Sequence, residues 1–233
     1  MRSSTWRALG NTYVVVEADE GGRLEPADAV DLARAADGVI EVLASSHERV
    51  EIAIWNPDGS RAELSGNGAR IAAAWVTARS GAERLEVVVG ERSVSTRILE
   101  HGVLEQALGE VIVAPSETIE GISVTPVSVG NPHAVVLGDP DTIVDVGPLL
   151  ETHARFPERT NVQVARIDAP GQVTARVWER GVGETASSGT SAVAVAAATH
   201  GEGDVVVRFP GGDLRVRLAN GRAWLYGTAE RVS

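Results

Sequence analysis

Apolar residues along the chain recur mostly in short runs rich in Val, Ile and Thr that glycines separate, a pattern typical of β-strands. Only three stretches have the length and composition of helices, and we expect helices over residues 26–36, 68–79 and 191–199. The pair Asn220-Gly221, between two strand-like runs, predicts a two-residue hairpin turn. The pattern therefore predicts an α/β (α+β) protein dominated by strands.

The second and third predicted helices are rich in Ala and Val and apolar on nearly every side, which is typical of a helix buried inside a domain. Each follows a loop of Gly, Ser, Asn or Thr. Aligning SGNGARIAAAWVTA with SGTSAVAVAAAT superposes Ser65 on Ser188, 123 positions later. A second match, between GNTYVVV and GNPHAVV, places Asn11 and Asn131 120 positions apart. The chain is thus interpreted as two copies of one ancestral unit.

Each copy is expected to wrap a strand-rich layer round one central helix, which gives two pseudo-symmetric lobes. The predicted N-terminal lobe spans residues 1–112 and the C-terminal lobe spans residues 113–233. A return of the last strand to the N-terminal lobe is left open. At 233 residues the chain is long enough for two lobes with apolar cores of ordinary size.

Charge and composition exclude several kinds of partner. The chain has 21 basic and 32 acidic residues, a formal net charge of -11, and no basic run that would bind nucleic acid or an anionic membrane. No stretch reaches the roughly 18 uninterrupted apolar residues of a membrane span, and the start lacks a signal peptide, so a cytoplasmic protein is expected. Without cysteines the chain forms no disulfide or thiolate metal site, and its histidines lack ligand spacing, so no metal is predicted.

The two Ser/Gly loops can bind an anion. The N-terminus of a helix presents unpaired backbone N–H groups and about half a positive charge, and glycines let a carboxylate approach the main chain. The alternative is that both loops only cap helices, for which Ser, Asn and Thr are common. Polar segments lie just upstream of both loops, NPDGS from Asn56 and WERGVGET from Trp178. There Glu179 and Arg180 either form a surface ion pair or bind the ammonium and carboxylate of an amino acid.

Six ordered segments resemble the diaminopimelate epimerase family over nearly the whole chain. GNTYVVV resembles the family's GNDFVVVD, NPDGSRAELSGNGAR resembles NADGSxxxxCGNGAR, and GNPHAVVL resembles GNPHCVV. GPLLETHARFPERTNV, WERGVGETASSGTSA and FPGGDLRV are similar to GPxLExHxxFPxxxNV, YERGxGETxACGTGA and PGGxLxV. The fold that the resemblance implies is two pseudo-symmetric lobes, each a barrel-like, mostly antiparallel sheet round a central helix.

The resemblance implies an isomerase that interconverts LL- and meso-diaminopimelate in the synthesis of lysine and peptidoglycan precursors. In the family one cysteine thiolate removes the Cα proton while a second thiol protonates the opposite face, with no cofactor and no metal. The positions of those cysteines are Ser65 and Ser188 in this chain. The implied partner is a small amino acid, and a homodimer is compatible with the resemblance. The residues implied in substrate binding are Asn11, Asn56, Gly66, Asn67, Asn131, His133, Asn161, Glu179, Arg180, Gly189 and Thr190.

Two departures from the family pattern bear on activity. A serine hydroxyl is far less acidic than a thiol and needs an adjacent base, which the sequence does not reveal beside Ser65 or Ser188. His133 alone cannot serve both faces of one carbon. The segment ARAADG at 33–38 stands where the family has GxGxDG, so one wall of the pocket is expected to differ. We expect substrate binding to persist and turnover to be impaired.

Three explanations for the serines stay open: replacements made to trap a ligand, a natural relative with another chemistry or none, or hydroxyls that work weakly. A serine hydrolase is disfavoured, because neither serine lies in G-x-S-x-G or is followed by the lysine of S-x-x-K. The alternatives to an epimerase are therefore a non-catalytic amino-acid-binding homologue and a different isomerase that works without pyridoxal phosphate.

Overall fold

The β-branched runs form strands in both halves of the chain. The structure, a computed structural model, describes residues 2–17, 22–62 and 65–232. The chain divides into two units, Met1–Ala107 with Tyr226–Ser233 and Leu108–Leu225, termed the first and the second unit below. This division falls five residues before the boundary predicted after residue 112, and it assigns the last eight residues to the first unit.

Strands outnumber helices in both units. The helices of the first unit are α1 (Pro26–Leu32) and α2 (Gly66–Ser80), and those of the second are α3 (Ile143–Glu151) and α4 (Gly189–His200). The strands that begin in the first unit are β1 (Arg2–Ala8), β2 (Asn11–Glu17), β3 (Gly38–Ser45), β4 (Arg49–Trp55), β5 (Arg61–Ala62), β6 (Arg84–Val89), β7 (Arg92–Ile98), β8 (Leu104–Glu110) and, at the end of the chain, β19 (Glu230–Arg231).

The strands that begin in the second unit are β9 (Ile112–Val113), β10 (Glu117–Ile119), β11 (Ile122–Ser128), β12 (Pro132–Leu137), β13 (Asn161–Ala169), β14 (Gln172–Glu179), β15 (Gly183–Thr185), β16 (Gly203–Phe209), β17 (Gly212–Ala219) and β18 (Arg222–Gly227). The predicted hairpin between β17 and β18 is confirmed. Asn220 and Gly221 both have positive φ, 52° and 68°, as a type I′ turn requires.

Both units pair their strands in the same order and sense. In the first unit β1–β2, β3–β4 and β6–β7 are antiparallel, while β2–β3 and β4–β6 are parallel. In the second unit β11–β12, β13–β14 and β16–β17 are antiparallel, while β12–β13 and β14–β16 are parallel. Even the register agrees, since Tyr13 lies opposite Gly38 and His133 lies opposite Asn161. The predicted fold class, with two pseudo-symmetric and mostly antiparallel halves, is confirmed.

Each unit encloses one helix. α2 contacts β1, β2, β3, β4, β6 and β7, and α4 contacts the corresponding strands β11, β12, β13, β14, β16 and β17. Burial extends over Gly66–Ala73 in α2 and Gly189–Ala197 in α4. A helix that is surrounded by packed side chains needs no polar face. The absence of a polar face in the sequence is what predicted that α2 and α4 are buried. Among the described residues no helix is both long and apolar enough to cross a membrane.

The second unit contains a helix that the sequence pattern did not predict. α3 includes Gly147 and Pro148, which ordinarily disfavour a helix interior. A Cβ at Gly147 would lie 2.7 Å from Cβ and Cγ of Trp178, so the glycine allows α3 to pack against β14. α3 is the crossover that parallel pairing of β12 with β13 requires. The helix predicted over 26–36 is shorter than expected and ends at Leu32, because the chain turns there to enter β3.

Candidate active site

In the first unit, α2 begins at Ser65. This residue precedes the helix with extended backbone (φ -124°, ψ 122°), and its Oγ accepts a hydrogen bond from the Gly68 N–H at 3.0 Å. A Cβ at Gly68 would lie 3.0 Å from Ile54 Cδ1 and 3.2 Å from Ser65 Cβ, so a larger residue would displace the serine. Gly66 and Asn67, the first two residues of α2, are buried as well. The helix dipole at this N-terminus favours the binding of an anion.

The Ser65 hydroxyl also faces a phenol. Tyr13 on β2 is buried, and its hydroxyl lies 3.2 Å from Ser65 Oγ. Gly38 on β3 leaves room for this ring, because a Cβ there would lie 2.7 Å from Tyr13 Cε1 and 2.6 Å from the Trp55 carbonyl oxygen. Ser65 thus has an ionisable neighbour, which the sequence did not reveal because 52 positions separate the two residues.

A series of hydrogen bonds starts at the buried side chain of Arg70 on α2. Its Nη1 donates to Asn67 Oδ1 at 3.0 Å, and Asn67 Nδ2 donates to Asn11 Oδ1 at 2.6 Å. Burial lowers the pKa of Arg70 to about 10, so the guanidinium stays charged at neutral pH. Its Nε and Nη2 have no hydrogen-bond partner among the described residues. Arg70 therefore orients the two asparagine amides and adds a positive charge to this part of the unit.

Asn56 is held inside its own turn. Its Nδ2 donates to Ser60 Oγ at 2.9 Å, and its backbone N–H donates to the Ser60 carbonyl oxygen at 2.8 Å. Asp58 accepts hydrogen bonds from Ser60 N–H and Oγ–H, which lower the pKa of this exposed carboxyl. The NPDGS segment is therefore a self-contained turn, and the side-chain hydrogen bond of Asn56 does not reach the Ser65 loop.

In the second unit, α4 begins at Ser188. This residue also has extended backbone (φ -146°, ψ 130°), but its side chain makes no capping hydrogen bond. It is hydrogen-bonded instead to the Glu179 carboxyl, which accepts a second hydrogen bond from Thr185 Oγ1 at 2.5 Å. Burial raises the pKa of Glu179 above its ordinary value, and the two hydroxyls oppose this shift. Ser188 is thus hydrogen-bonded to a carboxyl group, whereas Ser65 is hydrogen-bonded to a phenol.

Asn131 connects the start of β12 to the buried first turn of α4. Its Nδ2 lies 3.5 Å from Thr190 Oγ1, the residue after Gly189. In the first unit the equivalent pair is Asn11 with Asn67, which is also the second residue of its helix. The internal repeat therefore extends to a hydrogen bond between an asparagine and the helix N-terminus.

His133 is part of a buried polar network. Its Nε2 lies 3.0 Å from Asn131 Oδ1, and its Nδ1 lies 3.0 Å from Gln163 Nε2, which also donates to Ser191 Oγ at 2.9 Å. Because the amide nitrogen of Gln163 can only donate, the imidazole proton lies on Nε2 and is donated to Asn131. Burial, helped by the charge of Arg180, lowers the pKa of His133 to about 3. The ring is therefore neutral and orients Asn131.

Asn161 holds the loop that carries Arg180. Its Oδ1 accepts a hydrogen bond from the Arg180 backbone N–H at 3.1 Å, and its Nδ2 donates to the Pro132 carbonyl oxygen at 2.9 Å. The Arg180 guanidinium donates to the Glu158 carbonyl oxygen at 3.1 Å. Both side-chain groups of Asn161 are thus engaged in fixing the end of β14 next to the start of β12.

The structure brings most of the sequence-predicted residues together within their own unit. Ser65, Gly66, Asn67 and Asn11 form one group in the first unit, whereas Asn56 stays in a separate turn. The second unit contains three such groups. Ser188 lies with Glu179, the helix start at Gly189 and Thr190 lies with Asn131 and His133, and Asn161 lies with Arg180.

Relatives of known family share about a third of their residues with this chain. The diaminopimelate epimerase of Desulforudis audaxviator is 35% identical over 100% of this chain and 97% of its own. That of Carboxydothermus hydrogenoformans is 33% identical over 96% of this chain and 94% of its own. The family model described as diaminopimelate epimerase matches residues 125–232. The chain belongs to the diaminopimelate epimerase family.

Solved structures of other epimerases share the fold of this diaminopimelate epimerase family member. A protein described as a predicted epimerase from Pseudomonas aeruginosa superposes with a TM-score of 0.76 at 16% identity, over 100% of this chain and 97% of that one. A hydroxyproline epimerase from Agrobacterium vitis, with bound trans-4-hydroxy-L-proline, gives 0.71 at 16% identity, over 99% and 89%. At such identities the likeness concerns the fold.

Four residues of this diaminopimelate epimerase family member were not singled out from the sequence. Tyr13 stands where the family motif GNDFVVVD has phenylalanine, and Arg70 ends the GNGAR motif, so the sequence marks both positions although it does not show their contacts. Glu151 in GPLLETH accepts a hydrogen bond from the Gly181 N–H at 2.7 Å and so anchors the ERGVG loop. Gln163 carried no signal, because a glutamine in a strand becomes informative only when its neighbours are known.

Proposed function

We propose that the chain is an epimerase that interconverts LL- and meso-diaminopimelate by Cα proton transfer, at a rate limited by its serine hydroxyls. The observation that supports this best is the pair of buried helix N-termini, α2 after Ser65 and α4 after Ser188. Each is bonded through its second residue to an asparagine, Asn11 or Asn131. Membership of the family over the whole chain is consistent with this function.

The helix N-termini suit the recognition of a carboxylate. Their backbone N–H groups can hold the α-carboxylate of the substrate and stabilise the charge that develops when the Cα proton leaves. We propose that this task falls to Gly66 with Asn67 and to Gly189 with Thr190. The remaining binding residues that we propose are Asn11, Asn56, Asn131, Asn161, Glu179 and Arg180, with Arg180 placed for the second amino-acid end of the substrate.

His133 contributes to binding indirectly in this proposal. The ring is buried and its pKa is about 3, so it is neutral at physiological pH and an unsuitable proton donor. Its Nε2–H instead fixes the carbonyl side of the Asn131 amide, which leaves the amide nitrogen oriented toward the start of α4.

The partner in this proposal is a small amino acid in the cytoplasm. The net charge of -11 supports neither nucleic acid nor an anionic membrane as a partner. A homodimer stays a prediction from the family resemblance.

A second candidate function is favoured by the hydroxyls themselves. Ser65 and Ser188 occupy the two positions where proton transfer is expected, and a serine hydroxyl exchanges protons much less readily than a thiol. An amino-acid-binding homologue without turnover would keep the same helix N-termini and asparagines.

The test follows deuterium from D2O into the Cα positions of LL- and meso-diaminopimelate and measures binding in parallel. We expect slow exchange by the protein itself. The variant Ser65→Cys/Ser188→Cys is expected to exchange about a hundredfold faster or more, because thiols are better acids and bases near neutral pH. Since the chain has no cysteine of its own, both thiols can be titrated without background.

Ser65→Cys/Ser187→Cys is the matched control for this test. Ser187 is also buried but lies one residue further from the start of α4, so we expect the control to exchange much more slowly than the Ser65→Cys/Ser188→Cys variant. If the Ser65→Cys/Ser188→Cys variant neither binds nor epimerises diaminopimelate, the substrate assignment is wrong. Tight binding without exchange in that variant would support the amino-acid-binding homologue.

A further inference from the structure

A tryptophan stands directly before proposed substrate ligands in each unit. Trp55 pairs with Val39 across β3 and β4, and Trp178 pairs with Val162 across β13 and β14. Val39 and Val162 are the second residues of β3 and β13, which occupy corresponding places in the two units. The two tryptophans are therefore equivalent in the internal repeat, and the hydrogen bonds of their indole groups can be compared.

In the second unit the indole donates to Glu151, whose side chain is only 7% exposed. Trp178 Nε1 donates to Glu151 Oε2 at 2.8 Å, and the Gly181 N–H donates to Oε1 at 2.7 Å. Arg159 Nη2 lies 2.5 Å from the same Oε1. Because all three partners are donors, the arrangement fits an ionised carboxylate. Glu151 thus holds the chain on both sides of residues 179–180.

In the first unit the equivalent indole donates to Glu41, which is fully buried. Trp55 Nε1 donates to Glu41 Oε2 at 3.0 Å, and the Leu24 N–H donates to Oε1 at 2.8 Å. Arg61 Nη2 lies 3.4 Å from Oε2, and the same guanidinium lies 3.8 Å from the centre of the Trp55 ring. Since Trp55 and Arg61 flank the NPDGS turn, Glu41 holds both ends of that turn.

The two glutamates reach their tryptophans from different elements. Glu41 lies on β3, whereas Glu151 is the last residue of α3. The place that Glu41 has on β3 is taken by Val164 on β13, so duplication of one unit does not account for both carboxylates. A carboxylate at the C-terminal end of a helix opposes the helix dipole, and a buried one destabilises the fold unless donors surround it. Glu151 therefore contributes through the donors that it accepts.

We propose that Glu41 and Glu151 are positioning residues for substrate binding, each of which fixes a polar segment by bonding to groups on both sides of it. The segments are residues 56–60 and residues 179–180. This role rests on the proposed function for what the segments bind, but not for how they are held. A binding group that is fixed before the substrate arrives loses less conformational freedom on binding, which raises affinity. Loss of either carboxylate should therefore raise KM and leave kcat nearly unchanged.

Glu151→Gln tests this role in the second unit, because the amide keeps the size of the carboxyl but replaces one acceptor by a donor. Whichever way the amide faces, its nitrogen meets the N–H of either Trp178 or Gly181. In the Ser65→Cys/Ser188→Cys background we expect KM for diaminopimelate to rise about tenfold and kcat to change by less than about twofold. The Gly181 amide should lose about tenfold of its protection from hydrogen exchange, measured by NMR without ligand.

Trp178→Phe should rescue Glu151→Gln. Phenylalanine has no N–H, so the amide nitrogen of the glutamine can face the ring while its oxygen accepts the Gly181 N–H. Relative to Trp178→Phe alone, the double variant Glu151→Gln/Trp178→Phe should change KM and the Gly181 protection by less than about threefold. If Glu151→Gln alone does not fold, the double variant should still fold. Glu117→Gln is the matched control, since Glu117 pairs with Arg155 at 2.9 Å in the same unit, and it should change neither quantity.

Glu41→Gln and Trp55→Phe repeat the experiment in the first unit, with the Leu24 amide as the probe of hydrogen exchange. We expect the same loss of protection in Glu41→Gln and the same rescue in Glu41→Gln/Trp55→Phe, because the indole and the backbone N–H again occupy both oxygens of one carboxylate. Glu17→Gln is the control here, since it removes the carboxylate that pairs with Arg79 at 2.7 Å.

Glu41 and Glu151 are not positioning residues if their glutamine variants lose no more protection than the control variants, or if the tryptophan substitutions restore nothing. A fall in kcat at constant KM would also exclude the role, because a carboxylate that only stabilises the fold changes the amount of active protein. If the Ser65→Cys/Ser188→Cys variant binds diaminopimelate without turnover, Kd takes the place of KM. If that variant does not bind it, the proposed function fails, and hydrogen exchange, which needs no ligand, still decides whether the glutamates hold their segments.

Discussion

Arg70 places a charged guanidinium in the interior of the first unit. It is fully buried, and only its Nη1 has a hydrogen bond, to Asn67 Oδ1 at 3.0 Å, among the described residues. Buried donors without partners each destabilise a fold by about 1–3 kcal/mol. The hydrogen bond that Arg70 makes orients Asn67 and, through Asn67, Asn11.

The variant Arg70→Met separates these two effects. Met has a similar length without a charge or donors, so we expect the free energy of unfolding to stay the same or to rise by about 1 kcal/mol. We expect affinity for diaminopimelate to fall about tenfold, equivalent to about 1.4 kcal/mol, because Asn67 loses the donor that orients it. Chemical denaturation and isothermal titration calorimetry measure the two quantities.

Arg79→Met on the same helix is the control. Arg79 is exposed, pairs with Glu17 at 2.7 Å and lies over the Trp75 ring, so its loss should leave affinity unchanged and alter stability by less than about 1 kcal/mol. A loss of more than about 2 kcal/mol of unfolding free energy in Arg70→Met would mean that the charge stabilises the core after all.

At the scale of elements, the parallel pairs β2–β3 and β12–β13 bring different chemistry to the same register position. Tyr13 lies opposite Gly38 in one pair and His133 opposite Asn161 in the other. Gly38 leaves space for an aromatic ring whose hydroxyl reaches the start of α2. Asn161 instead uses its amide to hold the end of β14. One architecture thus places a phenol near one helix N-terminus and an imidazole network near the other.

Gly38→Ala is expected to damage both stability and the Tyr13–Ser65 contact. The added Cβ would lie 2.6 Å from the Trp55 carbonyl oxygen and 2.7 Å from Tyr13 Cε1, so strand or ring must move. We expect a loss of about 1–3 kcal/mol of unfolding free energy, measured by denaturation followed by tryptophan fluorescence. Gly138→Ala is the control, because its Cβ would meet only Val164 Cγ1 at an ordinary 3.8 Å. Equal losses in both variants would contradict this account.

At the scale of the whole molecule, the two units repeat their strand order but differ in their buried ionisable groups. The first unit has exposed histidines only, His47 and His101, among the described residues. The second unit buries His133 in a neutral state and holds the partly buried Glu179 with a raised pKa. The stability of the second unit should therefore depend more on pH than that of the first.

The sign of this dependence follows from the direction of each shift. The pKa of His133 falls from the ordinary 6.5 to about 3, so its stabilising contribution is complete above pH 6.5 and is lost as the pH falls toward 3. Glu179 acts in the opposite sense: its contribution is complete below the ordinary pKa of 4.5 and is lost as the pH rises through the raised value.

The variant His133→Gln isolates the histidine contribution from that of Glu179. Below pH 6.5 the slope of unfolding free energy against pH should differ from the unmodified protein by about 1.4 kcal/mol per pH unit, because only the histidine-containing unfolded chain takes up the proton. Native-state hydrogen exchange between pH 5 and 7 resolves this for peptides of the second unit. His47→Gln, in the first unit, should leave the slope unchanged; an unchanged slope in His133→Gln as well would mean that the ring is not held neutral.

Local features were predictable because a few neighbouring residues encode them. The positive φ of Asn220 and Gly221 needs only a hairpin between two strands, and the all-apolar faces of α2 and α4 need only their own composition. The repeat and the Ser65 and Ser188 loops followed from matches over short segments. α3 was missed because Gly147 and Pro148 argue locally against a helix that the parallel pairing of β12 with β13 requires.

The sequence by itself determined the fold class, the internal repeat, the two helix N-termini and the family, because short segments of neighbouring residues are enough to predict each of them. The tertiary structure alone decided which groups meet those N-termini. Tyr13 reaches Ser65 across 52 positions through strand register, and Glu179 and His133 acquire their shifted pKa values from the packing of a whole unit. Hydrogen-bond partners and desolvation depend on residues that are distant in sequence, whereas backbone preferences and periodicity do not.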